Sequence, residues 1–388
     1  MRPRALTGLG ICCALGVGRE EVFAALRSPV PFRARPPRPV QGWDAAVHPG
    51  ARVAEVPDFD PTRWLGDKGL RTLDRLTKLM LVAARLASID AGLKKDGAFV
   101  RTSPERVGLC SSNAYGSLEA MVELSRVALL EDARYINPAK FPNTVANSAS
   151  GYVSIWEDLR ALNVAVSNGN CGALDAFAMA DVYLSADRAD AMLVGGAEAS
   201  SEALFLAFER LGLHETGAPL GEGAAFFVLE HEESAAARGA QTLAHVLGAG
   251  TAFEPPDSET QVIHASSEAV ERAVGAALED AGVAPGEVDV VVSGVSGLRP
   301  FDKAELAGIA RVAGEGAFVV APKAYLGETL GAGGAMAAAV ALACMESTPG
   351  RAPPLPPVAG AARGPIRTAL LTSLGYYGNA SAVVLRGP

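Results

Sequence analysis

Apolar runs with strand character alternate with stretches of helical period along the whole chain. Residues 106–111 form one apolar run and a helical pattern follows from Gly116; residues 189–195 precede another from Ser200, and 288–293 precede a third from Lys303. Strand followed by helix, repeated, is the pattern of an α/β fold. Helices are predicted over 74–92, where Leu76, Leu79, Leu81, Ala84 and Leu86 keep the helical period, over 172–186 and over 260–281. The uncharged stretch 330–345 has 16 residues and three glycines, short of the roughly 20 that span a bilayer, and reads as a buried helix. Near the N-terminus Arg2 and Arg4 precede an uncharged stretch, but Gly8, Gly10, Gly16 and Gly18 punctuate it. It therefore reads as a strand entering a loop, not as a secretory signal. The proline-rich segment 29–49 reads as a surface loop or an oligomer arm, and 352–357 as a surface connection. A break over 248–258 (GAGTAFEPPDS) suggests two halves, 1–250 and 251–388, each running strand, helix, strand, helix; their sequences are too dissimilar to establish a repeat.

Composition narrows the class. With 388 residues, 49% of them hydrophobic and 20% charged, the chain can bury a large core, which excludes disorder as its main state. The net charge is -9 and no block of like charge occurs, so a nucleic-acid partner is not expected. Five cysteines (Cys12, Cys13, Cys110, Cys171 and Cys344) include no CxxC pair. Neither a disulfide framework nor a metal site follows, and buried free thiols in a cytoplasmic protein without membrane association are expected.

Several segments together resemble the β-ketoacyl synthase family of the thiolase superfamily. They are TGLGICCALGVGREEVFAAL, PERVGLCSSNAYGSLEAM, FPNTVANSASGYVSIWEDL, NVAVSNGNCGALDAFAMADVYLSADRADAMLVGGAEA, GEGAAFFVLE, PKAYLGETLGAGGAM and SLGYYGNASAVVL. The resemblance covers nearly the whole chain and implies a thiolase-like fold, two duplicated halves in five αβαβα layers. It also implies a chemistry of three groups. A cysteine at the N-terminus of a buried helix is acylated, and two histidines stabilise the enolate formed as carbon dioxide leaves.

On this sequence those positions are filled differently. The segments on both sides of the nucleophile align without a gap and put Asn170 at its place, with Cys171 one residue later, about 100° around a helix. The first histidine is expected eight residues before Asp302, where Gly294 stands; the second is expected five residues after the family's lysine, Lys323, where Glu328 stands. None of His48, His214, His231, His245 and His264 falls near these positions in sequence. An amide accepts no acyl group, and a charged Glu328 opposes an enolate. Asn170 has two readings, a buried amide bonded to backbone or a group with a role of its own. Lys323 is expected to pair with Glu328 or Asp302.

Within the family the pattern resembles the chain length factor, the ketosynthase-like subunit of type II polyketide and aryl-polyene systems. That resemblance implies a non-catalytic partner of an active ketosynthase, with acyl groups delivered on the phosphopantetheine of an acyl carrier protein and no cofactor of its own. Tyr115, Lys140, Phe141 and Tyr376 are then candidates for the acyl tunnel and its gate, though Tyr115 reads equally as a core aromatic. Two rivals stand beside this: a stand-alone acyltransferase with Cys171 as nucleophile and Glu328 as base, and a homodimeric acyl-binding pseudoenzyme.

Overall fold

A computed structural model describes residues 1–258, 260–261, 263–346 and 353–388. Its main sheet has twelve strands. Along the main path they run Pro357–Ala359, Val319–Val320, Val290–Val292, Thr368–Leu374, Asn379–Arg386, Ala244–Phe253, Arg4–Cys13, Gly223–His231, Ala191–Glu198, Val107–Ser112 and Asn163–Val166. The short strand Gly16–Val17 pairs beside the path with Arg4–Cys13.

The pairing reveals the duplication that the sequence left open. In the first half Val107–Ser112 is parallel to both Asn163–Val166 and Ala191–Glu198, which is antiparallel to Gly223–His231, itself antiparallel to Arg4–Cys13. In the second, Val290–Val292 is parallel to Val319–Val320 and Thr368–Leu374, which is antiparallel to Asn379–Arg386, itself antiparallel to Ala244–Phe253. Numbered within each half, both read 3-2-4-5-1 with the same directions. The strand Ala244–Phe253 runs through the expected dividing point at 250 and opens the second half by its place in this order. It also pairs with residues 4–6 of the first strand, so the two half-sheets are continuous.

Burial separates the layers. One apolar cluster joins the first half-sheet to the helices Arg75–Asp90 and Ser148–Glu157, and another joins the second half-sheet to Ser267–Ala281 and Arg299–Ala313. Between the sheets a third cluster contains the helices Gly172–Ser185 and Gly333–Met345. The latter buries eleven of its residues, from Gly334 to Cys344, because it is apolar all round, which suits only an interior position. The five αβαβα layers of the thiolase-like fold are therefore present.

The same backbone device seats the outer helix of each half. A Cβ at Gly10 would stand 1.9 Å from the Ala83 carbonyl oxygen and one at Gly250 2.3 Å from that of Ala273; Gly8 and Gly248 meet the same two helices one step along their strands. Each first strand thus carries Gly-x-Gly so that a helix can lie directly on its backbone.

Several boundaries differ from expectation. The helix expected over 260–281 begins at Ser267, where Ser266 caps it by accepting from Ala269 N at 3.0 Å; residues 259 and 262 lie outside the described set. The 330–345 stretch opens with a 3₁₀ turn, Leu330–Ala332, before its helix. The segment 29–49 carries one 3₁₀ turn, Phe32–Ala34, and Arg35 ties it down by donating to the carbonyls of Val30, Ala14 and Tyr325. Of the expected surface connection 352–357, Ala352 lies outside the described residues and Pro357 begins a strand. All five cysteines are free and buried. Among the described residues no helix is long and apolar enough to cross a membrane and no side-chain cluster suits a metal ion.

Substituting Gly10 or Gly250 by alanine is expected to cost about 2–3 kcal/mol of stability each, since the added methyl collides with main-chain atoms that cannot swing aside. Urea unfolding of the two variants measures this, and unchanged midpoints would show that the helices are not seated by close backbone contact.

Candidate functional site

The N-termini of the two central helices meet where the parallel strands of both half-sheets end. Before the first helix the chain leaves the edge strand Asn163–Val166, turns at Asn168 and Gly169 (φ 53°), and forms the 3₁₀ turn Gly169–Cys171. Gly172, which opens the helix, has no room for a side chain: a Cβ would lie 2.2 Å from Ser112 Oγ. This turn delivers Asn170 and Cys171 to different surroundings.

Asn170 is buried. Its main-chain oxygen accepts from Ser373 Oγ at 2.8 Å, while its side-chain Oδ1 has no hydrogen-bond partner among the described residues. The phenol of Tyr376 lies beside it, pushed well above the usual tyrosine range by burial and then by the charge of Glu328, with the Asn170 amide acting in the opposite direction. Tyr376 Oη and Asn170 Oδ1 both fall short of a full hydrogen bond. The side-chain oxygen of Asn170 thus makes no bond to backbone among the described residues, and the amide is buried as expected.

Cys171 is sealed away. Its Sγ lies 3.5 Å from the Ser373 carbonyl oxygen and 3.6 Å from that of Asn379, and burial, reinforced by Asp175, pushes its thiol up to about 12. A thiol in that state is neutral at physiological pH, whereas a nucleophile needs the thiolate.

The two expected histidine positions have become parts of a carboxylate network. Gly294 N donates to Glu305 Oε1 at 2.7 Å, and a Cβ at Gly294 would stand 3.0 Å from Glu305 Oε2. Glu305 also accepts from Thr372 Oγ1 at 2.6 Å, and burial raises its pKa. Glu328 is buried with both oxygens engaged: Oε2 accepts from Lys323 Nζ at 2.7 Å and Oε1 from Leu330 N at 3.0 Å. Lys323 therefore takes Glu328 as its partner, while Asp302 accepts from Ser296 N and Gly297 N. The residues Ser293, Gly294, Lys323, Thr329, Thr372 and Ser373 enclose a narrow void behind this network.

A third carboxylate, Glu198, was not legible as part of the site. It ends the strand Ala191–Glu198, is fully buried, and accepts from Ala114 N at 2.7 Å, Gly331 N at 3.1 Å and Tyr115 N at 3.4 Å. Burial raises its pKa to about 7 against those three bonds. An acidic residue closing the wholly apolar run AMLVGGA was the available signal.

Tyr115 is 41% exposed, and its phenol is raised by burial and then by Tyr377, Glu198 and Glu328, which brings it to the same cluster as Tyr376. Lys140 and Phe141 lie apart from it. Lys140 Nζ donates to Glu123 at 2.6 Å, both side chains being near half exposed, and Phe141 is 63% exposed. Four of the histidines serve elsewhere: His48 meets Glu202, His214 the Phe205 carbonyl, His231 Arg4, and His245 Glu232. His264 is the exception, because its backbone pairs with Tyr377 and its N–H donates to the Tyr376 carbonyl at 2.8 Å. Nothing in the irregular sequence around it signalled that approach.

Residues 1–235 match the description Beta-ketoacyl synthase, N-terminal domain, and residues 243–355 match Beta-ketoacyl synthase, C-terminal domain. The chain belongs to the β-ketoacyl synthase family. Among its relatives is the putative polyketide beta-ketoacyl synthase 2 of Streptomyces halstedii, 31% identical over 99% of this chain and 97% of the relative. Another is 3-oxoacyl-[acyl-carrier-protein] synthase 2 of Coxiella burnetii, 30% identical over 91% of this chain and 87% of the relative. Of solved structures, the ishigamide ketosynthase/chain length factor superposes with a TM-score of 0.87 at 26% identity, covering 100% of this chain and 99% of that one.

The positions expected to carry the family's chemistry thus hold an amide, a buried thiol beside it, and carboxylates bonded to a lysine and to main-chain amides. With its pKa near 12, Cys171 is expected to resist iodoacetamide at pH 8 in the folded protein and to react only after unfolding. Peptide mass spectrometry before and after denaturation reads this directly; rapid alkylation of native Cys171 would refute it.

Proposed function

We propose that this chain is the non-catalytic member of a β-ketoacyl synthase pair, a chain length factor that dimerises with an active ketosynthase and shapes the far end of its acyl tunnel. The observation that carries this reading is the pairing of Asn170 with a sealed, protonated Cys171 at the head of the central helix. An uncharged carboxamide cannot take up an acyl group. Nor can the Lys323–Glu328 pair replace two neutral donors, since its carboxylate is already spent on Lys323 Nζ and Leu330 N. The stand-alone acyltransferase reading needs a free Glu328 base and a Cys171 thiolate, and neither condition fits that bonding.

An unpaired face supports the dimeric part of the reading. Among the described residues the edge strand Asn163–Val166 pairs on one side only, with Val107–Ser112. Exposed apolar side chains flank it: Ile155 (76% exposed) on the helix Ser148–Glu157, Val182 and Met179 on Gly172–Ser185, and further out Leu129 (82%), Leu130 and Phe141. An open strand edge with apolar residues on both sides is a docking surface. Its occupant is taken to be an active ketosynthase of the same fold, in keeping with the ketosynthase/chain length factor neighbour. Tyr115 is then the stop that limits the growing chain. An acidic carrier protein gains no long-range attraction from a chain of net charge -9, so it docks on the ketosynthase.

Co-production with a ketosynthase that keeps its cysteine and two histidines tests the reading. A one-to-one mixed dimer is expected, active in condensation where this chain alone is not, and Tyr115→Gly is expected to lengthen the products. Condensation by the isolated chain, or an acyl group found on Cys171, would overturn it.

The double variant Ile155→Asp, Leu130→Asp is expected to abolish the mixed dimer in size-exclusion chromatography while leaving the circular dichroism of the single chain unchanged. A dimer that survives both charges would place the interface elsewhere.

A further inference from the structure

Gly331, three residues past Glu328, stands 133 residues from Glu198, and Glu198 stands 84 from Ala114, yet continuous contacts join these places. Lys323 Nζ holds Glu328 Oε2 at 2.7 Å. The other oxygen, Oε1, accepts from Leu330 N at 3.0 Å. Leu330 is buried and left-handed, with φ 44°, a conformation that a branched-chain residue keeps only when its surroundings fix it. The next residue, Gly331, donates to Glu198 Oε2 at 3.1 Å, and the same oxygen accepts from Ala114 N at 2.7 Å. Gly331 also lies directly on the loop it supports: a Cβ there would meet Ala114 N at 2.5 Å and Asn113 C at 2.6 Å. Glycine is thus required by two backbones in contact, quite apart from the hydrogen bonds.

The loop at the end of this series bears Tyr115. Its other restraints are few. Asn113 Nδ2 donates to the Ala146 carbonyl at 2.9 Å, Ser167 Oγ reaches the carbonyls of Asn113 and Ala114 at 3.2 Å, and Gly116 turns at φ 62°. The amides of Ala114 and Tyr115 have Glu198 as their acceptor.

We propose that Glu328, at the place of a lost histidine, is a positioning residue: with Lys323 it fixes Leu330 and Gly331, and through them and Glu198 it holds the Asn113–Gly116 loop and the Tyr115 side chain. Its consequence for product length rests on the reading of Tyr115 as the tunnel stop; the mechanical coupling does not. The site has exchanged an electrostatic task at the reacting atoms for a geometric one at a distance from them.

Amide hydrogen exchange of the purified full chain tests the coupling. It is read at pH 9, above the value of about 7 for Glu198, so that relieving the repulsion from Glu328 leaves the charge of Glu198 unchanged. In Glu328→Ala the amides of Ala114 and Tyr115 are expected to exchange about tenfold faster or more, while the strand Val107–Ser112 and the helix Ser267–Ala281 keep their rates. Unchanged exchange at 114–115 overturns the proposal. So does a uniform acceleration that includes the remote helix, because Glu328 would then act on global stability alone.

Should Glu328→Ala fail to fold, Glu198→Ala leaves the Lys323–Glu328 contact in place and removes only the last link. It is expected to loosen the same two amides, and their unchanged exchange overturns the proposal equally. In the mixed dimer with a ketosynthase, a loosened loop together with altered product length supports the coupling and its use. A loosened loop with unaltered products still supports the coupling and counts instead against Tyr115 as the stop.

Discussion

The constraint on which the structure turns is that the helix Gly333–Met345 must be buried on every side, and its neighbour Gly172–Ser185 on all but the face that bears Met179 and Val182. Gly172–Ser185 and Gly333–Met345 lie between the half-sheets, and a Cβ at Gly334 would stand 2.8 Å from Leu174, so they pack almost backbone to backbone. A helix as apolar as Gly333–Met345 has no solvent face to offer. Each of the two must therefore be covered by one half of a duplicated sheet, and the outer helices then cover the remaining sheet faces. The same requirement brings both helix N-termini, and the strand ends beside them, to one place. A site at that junction is a product of the layering before any particular side chain is considered.

At the junction, buried charge is the second constraint. Glu198, Glu305 and Glu328 are each 2% exposed or less. Isolated carboxylates in such surroundings lose several kcal/mol of hydration apiece, so each must be matched by donors. They are matched unequally. Glu328 has a cation, whereas Glu198 and Glu305 have main-chain amides and, for Glu305, a hydroxyl. Dipoles compensate less fully than a full positive charge. Burial raises the pKa of Glu198 to about 7, and that of Glu305, against the donors that each of them has.

Much of this was legible in the sequence where the determining contacts are local. The helix at Arg75–Asp90 was expected from its leucine spacing, and the structure adds Asp74, which caps it by accepting from Thr77 N. That Asn170 and Cys171 open the central helix was expected from segments that align without a gap, and the Lys323–Glu328 pair joins residues only five apart in sequence. What escaped was non-local. Gly8 and Gly10 in one half and Gly248 and Gly250 in the other do mark the duplication, but a two-glycine motif acquires meaning only when the helix lying on it is known. Glu198 draws donors from residues 114, 115 and 331, and no spacing rule links them. The start of the helix Ser267–Ala281 was misjudged because the apolar periodicity extends upstream of the serine that caps it.

The residues at 170 and 328 are accommodated by different physics. At 170 an amide carries no charge, so the helix N-terminus tolerates it with its side-chain oxygen lacking a partner among the described residues. At 328 a carboxylate enters a site that already holds a buried lysine. Alone, either ion would be a buried charge without a counterpart, a situation that costs about 3–5 kcal/mol; together they neutralise each other at 2.7 Å. Lys323 thus has a reason to remain that owes nothing to an adjacent histidine. Once Glu328 is fixed by that pairing, its second oxygen is free to hold the left-handed Leu330, which a neutral imidazole with one acceptor nitrogen could not do while also receiving the ammonium. The carboxylate is in this sense suited to the architecture of the junction and unsuited to the family's chemistry.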